Sequence, residues 1–110
     1  MKLFILLISG LYETTDINGI SGSTIQLICQ YRGNVVWKKS GILYSDKTYI
    51  NSNLPLDLRQ RLSITGNYGV GEYHLKIAAI RQSDGGTYEC IVTDTSNSGQ
   101  QTLNVIGKYF

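Results

Sequence analysis

The stretch Asp84-Gly85-Gly86-Thr87-Tyr88-Glu89-Cys90 decides how the rest of the chain is read. Asp-Gly-Gly is turn chemistry: glycine supplies backbone angles that side chains resist, and aspartate bonds its own backbone. Immediately after it Tyr88, Cys90 and Val92 alternate with Thr87, Glu89 and Thr93. That period of two is the mark of a strand with one face in a core and one in solvent. The same pattern recurs outward along the chain. Ile25, Leu27 and Cys29 alternate with Thr24, Gln26 and Gln30, and Leu62 and Ile64 with Arg61, Ser63 and Thr65. Tyr73, Leu75 and Ile77 alternate with Glu72, His74 and Lys76, and Leu103 and Val105 with Thr102 and Asn104. Glycine- and asparagine-rich turns bound each run, at Gly19 to Gly22, Gly66 to Gly69 and Asn97 to Gly99. Further strands are expected at Asn34 to Lys38, Ile42 to Ser45 and Thr48 to Asn51. Leu54, Leu56 and Leu58, spaced around Pro55, read as an edge strand or a loop packed on the core. No segment carries a capped helical stripe. Short strands at this spacing predict an all-β, two-sheet sandwich.

Composition bounds the function. The 110 residues are one domain's worth of chain, and 10 basic against 8 acidic residues leave a net charge of +2. So weak a field gives no reason to expect nucleic acid as a partner. With one histidine and two cysteines, neither a multi-histidine nor an all-cysteine zinc site can be assembled, and no cofactor is expected. At the start, Lys2 precedes the apolar run Leu3-Phe4-Ile5-Leu6-Leu7-Ile8 and the small Ser9 and Gly10, the outline of a short secretory signal. A first buried strand or a truncated start gives the same composition. The division expected is a signal at 1–10, a single domain at 11–107 and a tail at 108–110. No later run reaches the roughly 18 apolar residues of a membrane span. The chain is therefore expected to be secreted, or to be a fragment displayed on the extracellular side of a cell surface.

Cys29 and Cys90 both fall at inward parity on their strands, Trp37 lies between them, and Asp84, Gly86, Tyr88 and Cys90 make Asp-x-Gly-x-Tyr-x-Cys. With Arg61 opening the Leu62/Ile64 strand, the chain here resembles the immunoglobulin superfamily, over roughly Tyr12 to Ile106. The resemblance implies a Greek-key sandwich of variable type with one inter-sheet disulfide, Cys29–Cys90, which requires an oxidising compartment. It implies that the Trp37 indole packs on that bridge. Tyr88 would form the corner that bonds nearby backbone, and Arg61 and Asp84 an ion pair at the base of the sandwich.

The interval between Trp37 and Arg61 leaves room for two additional strands, as in variable or intermediate sets. The interval from Cys29 to Trp37 is short, so Gln30-Tyr31-Arg32-Gly33-Asn34 must be a tight loop with Gly33-Asn34 as its turn. The last strand lacks the Phe-Gly-x-Gly bulge of antibody and T-cell receptor chains. Val35 to Lys39, Arg61 to Ile64 and Tyr73 to Ile77 are similar to adhesion proteins of the lachesin and IgLON groups. Gly19 to Ser23 with Cys29-Gln30-Tyr31 is similar instead to innate immune receptors of the CD300 and polymeric-immunoglobulin-receptor type. There a cysteine usually follows the tryptophan, where this chain has Lys38.

No convergent set of titratable groups proposes catalysis. His74 falls at outward parity beside Glu72 and Lys76, where a solvated strand-face histidine is expected. Gly66 to Gly71 lacks the Lys-Ser/Thr of a phosphate loop and reads as a turn. Function must then lie on a surface. If Trp37 and Cys90 point inward, Val36, Lys38, Glu89, Ile91 and Thr93 point outward from one sheet. Val36 and Ile91 are expected side by side in solvent, with Ile42, Tyr44 and Tyr49 nearby. An apolar centre with a polar rim is the pattern of an interface. The opposite sheet shows Gln26, Ser63, Thr65, His74 and Lys76. The expected partner is a protein, among them a second copy or a like domain. The alternative is a ligand held by the loops Arg32 to Asn34 and Asp94 to Gly99, as in an immune receptor or a secreted decoy.

Overall fold

The computed structural model describes residues 14–107. The expected signal segment and tail lie outside the described residues. Among the described residues nine strands form: β1 (Thr14–Ile20), β2 (Ile25–Leu27), β3 (Val35–Lys39), β4 (Ile42–Asp46), β5 (Tyr49–Ile50), β6 (Leu62–Thr65), β7 (His74–Ile77), β8 (Gly86–Val92) and β9 (Ser98–Ile106). They make a six-stranded sheet in the order β1-β9-β8-β3-β4-β5 and a three-stranded sheet in the order β2-β7-β6. β1 runs parallel to β9, and every other pairing is antiparallel.

The alternation seen in sequence becomes burial. Leu27, Leu75, Ile77 and Leu62 from the small sheet meet Val35, Trp37, Tyr88, Val92 and Leu103 from the large one. Trp37 and Tyr88 are fully enclosed. At about 25 cal/mol per Å², aromatic side chains of this size dominate the apolar stabilisation. Cys29 and Cys90 are bonded across the sandwich, with Cα atoms 6.1 Å apart.

Arg61 and Asp84 form the base pair in bidentate geometry, at 2.7 and 3.0 Å. Asp84 also accepts the Arg81 N–H at 2.8 Å. Burial opposes ionisation of Asp84, but the hydrogen bonds from Arg61 and from the Arg81 backbone outweigh it and hold the carboxyl below its ordinary value. The Tyr88 hydroxyl donates to the Asp84 carbonyl at 2.5 Å, completing the corner, and burial pushes its ionisation well up. Lys39 spans the same end. Its ammonium lies 5.3 Å from the centre of the Tyr88 ring and donates to the Ser83 carbonyl at 2.9 Å, while burial lowers its pKa.

Two sequence expectations change here. The segment around Pro55 is not a strand: Leu56–Arg59 forms a single helical turn, α1. Pro55 fixes the entry to that turn, Leu54 reaches the core, and Leu56 is left exposed. His74 is not solvated; it is 8% exposed. Its Nδ1 accepts the Cys29 N–H at 3.0 Å. The reason is an exchange of partners at the seam between β2 and β7. Tyr73 N–H donates to the Cys29 carbonyl at 3.0 Å, so a regular ladder would return the Cys29 N–H to the Tyr73 carbonyl. That carbonyl instead accepts the Trp37 indole N–H at 2.7 Å, and the histidine ring supplies the missing acceptor.

Candidate interaction surface

The register of the large sheet sets what it shows to solvent. Residues directly opposite one another share a face. Tyr49 lies opposite Asp46, Asp46 opposite Val36, Val36 opposite Ile91, and Ile91 opposite Ser98. This row is on the outer face, because the neighbouring Val35, Trp37, Cys90 and Val92 are in the core. The next row runs Leu43, Lys38, Glu89, Gln100 and Thr14. Below it Thr87 meets Thr102, their hydroxyls 2.9 Å apart. Between these two rows lies an open depression of about 360 Å³ lined by Lys38, Ser40, Gly41, Thr87, Glu89 and Gln100. Lys38 and Glu89 are cross-strand neighbours, but no ion pair forms between them among the described residues. The face carries Tyr49, Ile91 and Leu43 with the exposed Asp46 at one end and polar side chains across its middle, and it ends in the exposed pair Ile20 and Ile106 at its far corner.

Lys38, Tyr49, Glu89, Ile91 and Thr93 take the outward positions expected of them. Tyr49 is 77% exposed. Thr93 follows β8 and holds the Asn34 carbonyl through its N–H at 3.1 Å and its hydroxyl at 3.3 Å. Three others differ from expectation. Val36 has the expected outward parity but is only 6% exposed, so it is not a solvent-facing residue. It is a small side chain on an inner strand, flanked by Ile91 and Asp46 in the same row. Tyr44 is in the core, edge-on to Tyr88 at 5.7 Å between ring centres. Ile42 is exposed, but it lies opposite Lys39, whose ammonium reaches over the inward-facing Tyr88, and so not in the row of Lys38.

One local cause accounts for Tyr44 and Ile42. Ser40 and Gly41 both have positive φ, 51° and 78°, and make the two-residue turn of a tight hairpin. That turn pairs Lys39 with Ile42 and Lys38 with Leu43. It puts Leu43 on the outer face and Tyr44 inside, and a register shift between Trp37 and Lys38 then carries Ser45 opposite Trp37. The dipeptide Ser40-Gly41 was the available signal: counting outward from it assigns Tyr44 to the side of Trp37. Leu43, Asp46, Ser98 and Gln100 are outer-face residues that the alternation argument missed.

The outer face of the small sheet contrasts with this one. Gln26, Ser63 and Lys76 are exposed there, and Thr65 donates to the Gln26 side chain at 2.8 Å. Its apolar exception is Ile28, beyond the end of β2, which is 45% exposed. Among the described residues no group of three histidine, cysteine or acidic side chains is placed to hold a metal, and no helix is long and apolar enough to cross a membrane.

Residues 12–106 match the family described as the immunoglobulin I-set domain, and the chain belongs to that family. Rat (Rattus norvegicus) nephrin is 35% identical over 80 residues, covering 70% of this chain and 6% of that protein. Mouse (Mus musculus) nephrin is 38% identical over 76 residues, covering 66% of this chain and 6% of that protein. The chain thus spans a small part of the length of these relatives. Among solved structures, Tim-1 superposes with a TM-score of 0.69 at 17% identity, covering 91% of this chain and 98% of that one. The first immunoglobulin domain of the mouse polymeric immunoglobulin receptor gives 0.68 at 18% identity, covering 88% and 94%. At such identities the structural likeness establishes the two-sheet fold alone. Domains of this family are typical of cell-surface recognition and adhesion proteins, and the family and fold are generally non-enzymatic.

Proposed function

We propose that the chain is a non-enzymatic recognition module of a cell-surface or secreted protein, and that it binds a protein partner through the outer face of its six-stranded sheet. The observation that supports this reading is the asymmetry between the two outer faces. Ile91, Leu43 and the exposed Tyr49 lie on the outer face of the large sheet with Lys38, Asp46, Glu89 and Thr93 among them, and Ile20 and Ile106 are exposed at its far corner. The small sheet is polar apart from Ile28 at its end. An apolar centre with a polar rim is the usual build of a protein interface, and tyrosine is enriched at such sites. The Cys29–Cys90 bond calls for an oxidising compartment, which supports placing the domain outside the cell.

The test is a binding screen of the chain against displayed immunoglobulin-domain proteins, itself included, with the Ile91→Asp and Tyr49→Ala variants in parallel. Binding should weaken at least tenfold in both variants while their melting temperatures stay near wild type. Full binding by both variants would sink the proposal. It would turn attention to the loops Arg32 to Asn34 and Asp94 to Gly99, where a glycan array is the matching probe.

A further inference from the structure

The two sheets expose four strand edges, and three of them are short or blunted. β5 has two residues and β6 four. β2 has three, and just beyond it Gln101 reaches across from β9 and closes the edge. Its side-chain Oε1 accepts the Ile28 N–H at 2.9 Å, and its amide nitrogen donates to the Ile28 carbonyl. β1 is different. It has seven residues in unbroken register with β9, no proline, lysine, arginine or bulge interrupts it, and Asp16 is its one charged side chain. Among the described residues no strand pairs with its other edge. Long, regular, unprotected edges are what natural proteins avoid unless they are used.

The backbone groups on that edge can be assigned. Ser21 N–H donates to the Ile106 carbonyl on β9, whereas the Ile20 carbonyl turns away to accept Ser23 N–H at 2.9 Å and its hydroxyl at 2.6 Å. Successive residues of a strand direct these groups to opposite edges. The even-numbered Thr14, Asp16 and Asn18 therefore present theirs to the open side. Their side chains lie on the outer face, because Ile17 and Gly19 face the core. A Cβ on Gly19 would come within 2.6 Å of Ile80 Cδ1.

We propose that this edge is a self-association site, at which β1 of one copy pairs antiparallel with β1 of a second, Asp16 of each opposite Asn18 of the other. Hydrogen bonding and charge select that register. A shift in one direction sets the two Asp16 carboxylates face to face. A shift in the other leaves Asn18 facing Asn18 as the single pair, because the flanking pairs need the Ile20 carbonyl, which Ser23 already occupies twice; the chosen register forgoes that carbonyl only at its outermost Thr14–Ile20 pairs and keeps two Asp16–Asn18 pairs. In the chosen register Asp16 and Asn18 exchange both backbone hydrogen bonds. The Asn18 amide oxygen is engaged by Asn104 at 3.3 Å, which leaves its amide nitrogen to donate to the facing Asp16 carboxylate. The product is one continuous sheet through a two-fold axis, an isologous contact that closes on itself. A single strand pair buries little area, so the association is weak. It is separate from the outer-face recognition proposed above.

Sedimentation equilibrium of the full chain, from about 10 μM to about 1 mM, should show a concentration-dependent dimer. Asp16→Pro removes an edge N–H without touching the β9 ladder and should leave a monomer. Asn18→Asp should weaken the dimer at least tenfold, because each Asp16 then faces a carboxylate. Adding Asp16→Asn to Asn18→Asp exchanges the two groups and should restore it. That pair of variants also serves if the proline variant does not fold. A wild type that stays monomeric, a folded Asp16→Pro that dimerises normally, or a double variant that fails to recover would each overturn the proposal. Ile91→Asp should leave this dimer intact; if it abolishes self-association while Asp16→Pro does not, β1 is excluded and the sheet face is supported.

Discussion

Asp84 joins three parts of the base of the sandwich. Its carboxylate takes two bonds from Arg61 and one from the Arg81 N–H, and its carbonyl takes the Tyr88 hydroxyl. Because its folded pKa lies below the ordinary aspartate value of 3.8, ionised Asp84 stabilises the fold at pH values above that point. This contribution disappears as the pH falls from there through the folded value. Urea unfolding between pH 6 and pH 2 should show wild-type stability falling at the acid end. Asp84→Asn should be less stable at pH 6 and should show a shallower acid decline. His74 makes a different case at the same scale. His74→Leu leaves the buried Cys29 N–H without an acceptor and should cost about 1–3 kcal/mol in the same assay. The ion pair and the tyrosine corner were legible through the resemblance to the immunoglobulin superfamily. The histidine was not, because its role depends on the Trp37 indole having taken the Tyr73 carbonyl.

At the scale of elements, period-two alternation located most strands, since inward parity and burial coincide in β6 and β8. It failed in β3, where Val35, Val36 and Trp37 are all buried. Parity tells which face a side chain takes; its exposure depends on neighbours that arrive from β4 and β8. The distinction has a measurable consequence. Val36→Asp places a carboxylate in a position that is 6% exposed and should lower stability by about 2–4 kcal/mol. Ile91→Asp, beside it but partly exposed, should cost about 1 kcal/mol or less. Equal losses in thermal melts would show that the two positions are equally enclosed. The β3–β4 hairpin carries the same lesson, because one two-residue turn moved both Ile42 and Tyr44 off the face that alternation gave them.

For the whole molecule, the disulfide closes a loop with a sequence separation of 61. On the chain-entropy account, a loop of this length contributes about 4 kcal/mol by restricting the unfolded chain. Reduction, or the paired Cys29→Ala and Cys90→Ala variant, should lower unfolding free energy by about that amount while the sheet circular-dichroism signal persists below the new midpoint. A much smaller loss would mean that packing around Trp37 and Tyr88 already restricts the unfolded ensemble.

The sequence by itself determined the sandwich, which rests on local alternation and turn chemistry, properties of the chain read in order; its bridge and its base pair were implied by the resemblance to the immunoglobulin superfamily. Its small net charge of +2 left recognition to shape and apolar contact. Only the tertiary structure decided which outward residues meet solvent, that Leu43 replaces Ile42 in the outer row, and that β1 keeps an open edge while Gln101 closes that of β2. The reason is physical: exposure and edge pairing are relations between strands far apart in sequence. They are settled by register and by which neighbour arrives, and a strand's own alternation records neither.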